Sequence, residues 1–200
     1  MQVSISKGNI KLGAIPSVSL PAGITCRNDC ECITKCYARK IEKLRPSVRT
    51  AYSKNYDLLT SDPNTYWREI EASIMMSRFF RFHVSGDIVD DAYLRRMCYI
   101  AARNPHCQIL CFTKRYDIVN AYLAQGALFP DNLHIILSAW RGLPMKNPHN
   151  LPEAHVRYKD GSTTADTFAI ECSGNCSDCA ITDGGCWNLR PGQQVVFNEH

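Results

Sequence analysis

Three short apolar runs constrain most strongly how this chain can fold: Phe79 to Val84 (FFRFHV), Gln108 to Thr113 (QILCFT) and Leu133 to Ala139 (LHIILSA). Each is rich in aromatic or β-branched residues and has the length of a buried strand. Their starts lie 29 and 25 residues apart. Between them Tyr93, Leu94, Met97 and Ile100, and then Ile118, Val119, Tyr122 and Leu123, recur at helical spacing. Strands separated by helices of crossover length pair in parallel, because a tight turn cannot join two parallel neighbours. The predicted class is α/β, a parallel sheet or a partial barrel.

The flanks extend this pattern. Pro16 to Leu20 (PSVSL) predicts a first strand closed by Pro21 and Gly23, and Ala154 to Lys159 and Phe168 to Glu171 predict two late strands without room for long helices between them. Tyr37, Ile41 and Leu44 recur at helical spacing, Arg45-Pro46 interrupts, and Val48, Tyr52, Tyr56 and Leu59 continue the stripe. Asp62-Pro63 predicts an N-cap followed by proline at the first helical position, opening a helix that buries Trp67, Ile70 and Ile74. All of these stripes are expected to face the core.

The chain has 200 residues, 45% of them hydrophobic and 21% charged, enough to bury a substantial core in one domain over residues 1–200. Within it, an α/β core over 16–160 carries a cysteine loop at 26–36, and a Cys-rich metal-binding segment covers 168–190. No run of about 18 apolar residues is present, and the stretch from Met1 to Ile10 lacks the apolar centre of a signal peptide. The expectation is a soluble, cytoplasmic protein with no membrane partner. In a reducing compartment, clustered cysteines among a total of eleven point to metal ligation rather than to disulfides. The formal charge is only +4, yet Lys35, Arg39, Lys40, Lys43, Arg45, Arg49 and Lys54 face the single acid Glu42. Such a run is either a solvated helix face or a surface for an anionic partner.

The cysteines form two groups. The first places Cys26, Cys30, Cys32 and Cys36 within eleven residues, and the second places Cys172, Cys176, Cys179 and Cys186 among Gly174, Gly184 and Gly185. Soft thiolates suit iron-sulfur clusters or zinc. The single tight wrap of the first group favours iron-sulfur over the two separated hooks of structural zinc. Four ligands in the second group can close a shell, as in an auxiliary cluster or a zinc site. Cys98, Cys107 and Cys111 lie in predicted helix, loop and strand and are assigned to the core.

Each predicted strand ends in polar residues: Cys26 to Cys36, then Ser85-Gly86-Asp87, then Thr113-Lys114-Arg115, then Ser138 with Arg141 close behind. In α/β folds ligands gather at the carboxyl edge of the sheet, so these ends could jointly hold a small polar ligand. Ordinary turn chemistry and capping account equally for Ser85, Gly86 and Asp90 taken singly. His83, His106, His134 and His155 have no catalytic motif around them, which argues against a hydrolase.

Thr25-Cys26 to Cys36-Tyr37-Ala38, the segment from Arg81 to Asp87, Cys111-Phe112-Thr113-Lys114 and the end near Val195 to Asn198 together resemble the phage gene product eighty-eight family. More distantly, a strand, a cysteine loop, helices and a second strand ending in a Gly-plus-acid motif are similar to the start of radical S-adenosylmethionine (SAM) enzymes. The resemblance implies a radical-SAM type of barrel and a host-cell cytoplasmic location. It implies that Cys26, Cys32 and Cys36 hold a 4Fe-4S cluster whose open iron takes SAM, with Cys30 a further candidate ligand. It also implies that reduction of bound SAM yields a 5'-deoxyadenosyl radical. Ser85, Gly86 and Asp87 would take the place of the motif that holds the SAM amino group, with Thr113, Lys114, Ser138 and Arg141 completing the pocket. The usual spacing Cys-x3-Cys-x2-Cys is instead matched by Cys172, Cys176 and Cys179, so the tail is a second candidate SAM site.

Three functions remain in competition. The first is a radical-SAM-like enzyme with two 4Fe-4S clusters, SAM, an electron donor and an unknown substrate, which could be a nucleic acid. The second is a metal-stabilised nucleic-acid-binding module, with zinc as the alternative metal. The third is a two-cluster electron-transfer protein, favoured if Cys30 is a ligand.

Overall fold

In a computed structural model, which describes residues 2–182 and 184–199, the chain begins with β1 (Ile5–Ser6) and β2 (Ser17–Val18), followed by α1 (Tyr37–Leu44), α2 (Pro46–Ser61) and α3 (Pro63–Met75). Then come β3 (Phe79–Phe82), α4 (Asp91–Arg103), β4 (Gln108–Thr113), α5 (Tyr116–Ala124), β5 (Leu133–Ser138) and β6 (Glu153–Arg157). The end of the chain adds β7 (Ile170–Glu171), α6 (Cys176–Ile181) and β8 (Gln194–Asn198). The ends of the single domain read from the sequence, Met1 and His200, and Asp183 in its Cys-rich segment lie outside the described residues.

The strands form one mixed sheet in the order β1-β2-β3-β4-β5-β6-β8-β7. All neighbours are parallel except β1 with β2. The α/β class is therefore as the segment spacing predicts, and α4 and α5 are the crossovers. Strand residues alternate between two buried faces, which is why the central runs read as continuously apolar. Phe80, Phe82, Ile109, Cys111, Ile135 and Leu137 meet Trp67, Ile70 and Ile74 of α3, Leu94 and Met97 of α4 and Val119 of α5. On the other face Leu110, Ile136 and Val195, with Phe79 and Phe112 beside them, are covered by Leu12 and Ile15 and by Ala180 and Trp187 of the tail. The helices thus cover one face, and the N-terminal segment and the Cys-rich tail cover the other.

Asp62 caps α3 as expected, its side chain accepting a hydrogen bond from the Thr65 N–H, with Pro63 at the first position. Three readings need correction. The stripe on α1 does not face the core: Tyr37, Ile41 and Leu44 are 44%, 37% and 66% exposed, because α1 packs over the loops that follow β2 and β3, with only Ala38 buried. The late strands are shorter than the predicted 154–159 and 168–171, spanning Glu153–Arg157 and Ile170–Glu171, and β8 inserts between them. The first strand is reduced to Ser17–Val18, and β1 pairs with it as a short antiparallel edge.

Candidate metal centre

The first cysteine group occupies the loop at the carboxyl end of β2, beside the ends of β3 and β4. Three anchors shape it. Thr25 is buried, and its hydroxyl oxygen accepts the Asp87 N–H at 3.1 Å. The Arg27 guanidinium grips Asp29 at 2.7 and 2.5 Å, donates to the Lys114 carbonyl at 3.3 Å and lies over the Tyr116 ring at 5.6 Å. Cys30 precedes a single 3-10 turn over Glu31–Ile33, and Cys36 is the N-cap residue of α1. Cys30 is buried, whereas Cys26, Cys32 and Cys36 are half-buried. Burial holds the Cys26 thiol above its usual pKa, with the carboxylate of Asp87 and the sulfur of Cys36 adding to it. Cys30 and Cys32 share a hydrogen bond that favours the thiolate at Cys30 and the thiol at Cys32. The charge of Lys114 lowers the proton affinity of Cys26, Cys30 and Cys32 alike, so its ammonium acts on all three sulfurs.

The segment Ser85-Gly86-Asp87 braces the loop from below. Asp87 is buried, and its carboxylate accepts from Thr113 Oγ1 at 2.6 Å, from the Lys114 N–H at 3.0 Å and from the Ile88 N–H at 2.8 Å. Burial raises its pKa and these donors oppose that rise. Ser85 donates to Glu42 Oε1 at 2.8 Å, and the same oxygen accepts the Ala22 N–H at 3.0 Å. These polar groups are therefore joined to one another, tying β2, β3, β4 and α1 into one support.

Lys114 Nζ donates to Ser138 Oγ at 3.1 Å and stands 5.8 Å above the Trp140 ring, while Tyr116 donates to the Ser138 carbonyl at 2.5 Å. The structure thus brings Ser85, Gly86, Asp87, Thr113, Lys114 and Ser138 together around the cysteine loop. Arg141 faces a neighbouring cleft, which Lys35 of the cysteine loop also lines. Its guanidinium pairs with Asp160 at 2.8 Å and lies 4.1 Å over Tyr158. It lines this cleft of about 400 Å3 with Lys35, Tyr158, Lys159, Asp160 and Glu199.

The second group lies on the sheet face away from the helices. Cys172, Cys176, Cys179 and Cys186 all pack against the apolar cluster of that face. Burial pushes the Cys186 thiol up to about 12, with further upward contributions from the other three sulfurs, so all four are electrostatic neighbours. The Gly174 N–H donates to Cys172 Sγ at 3.4 Å, Ser173 Oγ stands 3.3 Å from Cys179 Sγ, and Arg81 Nη1 approaches Cys176 Sγ at 4.0 Å. A Cβ at Gly185, where φ is +57°, would come within 2.8 Å of Cys179 Sγ, so the chain needs glycine to pass this sulfur. Trp187 holds the segment down through its ring, 5.0 Å from that of Phe79, and its Nε1–H, which donates to the Cys176 carbonyl.

Among the described residues no group of three or more His, Cys, Asp or Glu side chains is closed to ligating geometry. The donor sets nevertheless fit a thiolate-bound metal in kind: clustered soft sulfurs, N–H donors toward them, and a nearby cation in each group, Lys114 and Arg81. Several participants gave no sequence signal. Glu42 and Tyr116 lie outside the strand-end pattern, Arg27 lies inside the first strand end without being singled out, and all three act through tertiary contacts. Cys98, Cys107 and Cys111 are buried, as a core assignment requires.

The family model of gene product 88 matches residues 3–186. The Gene 88 protein of Mycobacterium phage L5 is 30% identical over 152 residues, covering 68% of this chain and 62% of that protein. The Gene 88 protein of Mycobacterium phage D29 is 28% identical over the same length and with the same coverage. The chain therefore spans less than two thirds of these curated relatives. No solved structure matches it. The chain belongs to the gene product 88 family.

Proposed function

We propose that this gene product 88 family protein is an iron-sulfur enzyme of radical-SAM type, its sheet a partial barrel of that kind. In this reading Cys26, Cys32 and Cys36 hold a 4Fe-4S cluster with an open iron, and Cys172, Cys176, Cys179 and Cys186 hold an auxiliary one. The observation that carries it is the position of the first group: a half-buried thiol loop at the carboxyl end of a parallel sheet, facing Lys114 and Ser138. The choice of three ligands is supported by burial and contact. Cys36 is an electrostatic neighbour of both Cys26 and Cys32, whereas Cys30 is buried and hydrogen-bonded to Cys32.

When bound and reduced, the cluster supplies one-electron cleavage of SAM. The chain's own residues have separable roles. Asp87 orients the Lys114 backbone and Thr113, and Lys114 offers a cation for a carboxylate. The Ser85–Glu42 contact keeps the loop in register with α1. Arg141 is assigned to the polar cleft rather than to the SAM pocket, because its guanidinium is committed to Asp160 and Tyr158.

The test is anaerobic incubation of reduced, reconstituted protein with SAM, assayed for 5'-deoxyadenosine. Loss in Cys32→Ala with retention in Cys30→Ala supports this ligand set. Loss only in Cys176→Ala moves the SAM site to the tail. Intact SAM in a protein that carries its iron overturns the enzyme reading.

A further inference from the structure

The net positive charge of this chain comes from one segment. Seven basic residues between positions 35 and 54 face the single acid Glu42, which leaves sixteen basic against eighteen acidic residues everywhere else. The fold sharpens the asymmetry. Lys35, Arg39, Lys40, Lys43, Arg45 and Arg49 are all exposed. Glu42 turns inward to Ser85 and the Ala22 N–H and does not neutralise them. Lys35 reaches Glu199 only at 3.9 Å, with 71% of its side chain exposed. Among the described residues Arg39, Lys40, Lys43, Arg45 and Arg49 make no ion pair.

Elsewhere, among the described residues, six of the sixteen basic residues make ion pairs, among them Arg95 with Asp91, Arg103 with Glu71 and Arg157 with Glu171. An unpaired cationic patch on an otherwise slightly acidic molecule repels itself, and a polyanion relieves that repulsion while releasing its own counterions. The apolar residues among the cations decide which polyanion. A helix lying in a bilayer interface buries an open apolar face. Here Tyr37 is 44% exposed with its hydroxyl held to the Val84 carbonyl at 2.7 Å, Ile41 is 37% exposed, and Leu44 alone stands well out at 66%.

We propose that the α1–α2 surface docks the phosphate backbone of a nucleic acid, by charge and without reading its sequence. Because Cys36 is the N-cap of α1, the docked strand lies beside the cysteine loop. The inference does not depend on which metal the loop holds.

Fluorescence anisotropy of the full chain with a labelled single strand and a duplex of about 30 nucleotides, titrated with salt, tests it. Binding at low salt is expected, falling linearly in log–log form with salt. The triple variant Lys40→Glu, Lys43→Glu, Arg49→Glu should bind at least tenfold more weakly and lose about two to three units of salt slope. Lys7→Glu, Arg68→Glu and Lys146→Glu together, the same charge change at exposed positions elsewhere, should stay within about twofold of wild type. If the first triple fails to fold by circular dichroism, the corresponding glutamine triple replaces it. Equal weakening by both triples overturns the proposal, as does binding to phosphatidylserine vesicles without binding to either nucleic acid.

Discussion

Gly86 is required by its neighbours as well as by its backbone. Its φ is +82°, and a Cβ there would meet Thr25 Oγ1 at 2.7 Å, Leu20 Cβ at 2.8 Å and the Leu20 carbonyl at 2.9 Å. Gly86→Ala therefore strains the turn and pushes β2 from β3; urea unfolding should show a loss of about 1–3 kcal/mol. His83 also has a left-handed backbone, with φ +62°, and is buried between Tyr93 Oη at 3.0 Å and Cys111 Sγ at 3.8 Å. Burial, with Arg81 adding to it, pushes its pKa down to about 3. The unfolded chain then binds a proton that the folded chain refuses below the ordinary histidine pKa. Its contribution to stability is complete above about pH 6.5 and falls toward pH 3, by at most about 1.4 kcal/mol per pH unit. Unfolding free energies from pH 7 to 5 should fall less steeply in His83→Asn, whose side chain tolerates this backbone; parallel slopes would contradict the assignment. At this scale the sequence displayed Ser85, Gly86 and Asp87 as a polar strand end. That their polar atoms are spent on Glu42, Thr113 and Lys114 depends on side chains far away in the chain.

At the scale of elements, the Cys-rich tail acts as a cover for the second sheet face, and Trp187 is its anchor. The ring is 4% exposed. Trp187→Ala should cost about 3–5 kcal/mol and expose the segment from 172 to 186 to limited proteolysis, while leaving the helix-covered face protected. Equal protease resistance of variant and wild type would show that the tail is held by something else. The elements were legible where two buried faces make a continuous apolar run, as in β3, β4 and β5, and where Asp62-Pro63 announces a helix start. They were not legible where placement is non-local. The run Val195-Val196-Phe197 is short, and nothing in chain order says that β8 enters between β6 and β7. Helical spacing identified α1, but periodicity cannot tell whether a stripe meets a core or water.

At the scale of the whole molecule, the parallel sheet separates two cysteine environments that composition alone could not distinguish. One sits at the carboxyl edge beside Lys114, Ser138 and the basic α1–α2 surface; the other lies flat on a sheet face beside Arg81. On this account the two groups load metal independently, one open at an edge and one enclosed. Iron and acid-labile sulfide analysis of anaerobically reconstituted protein, with visible and electron paramagnetic resonance spectra, tests this most directly. The account predicts about eight iron and eight sulfide per chain, reduced to about half in Cys26→Ala/Cys32→Ala/Cys36→Ala and, separately, in Cys172→Ala/Cys176→Ala/Cys179→Ala. A colourless protein containing only zinc, or iron that survives both triple variants, would contradict it.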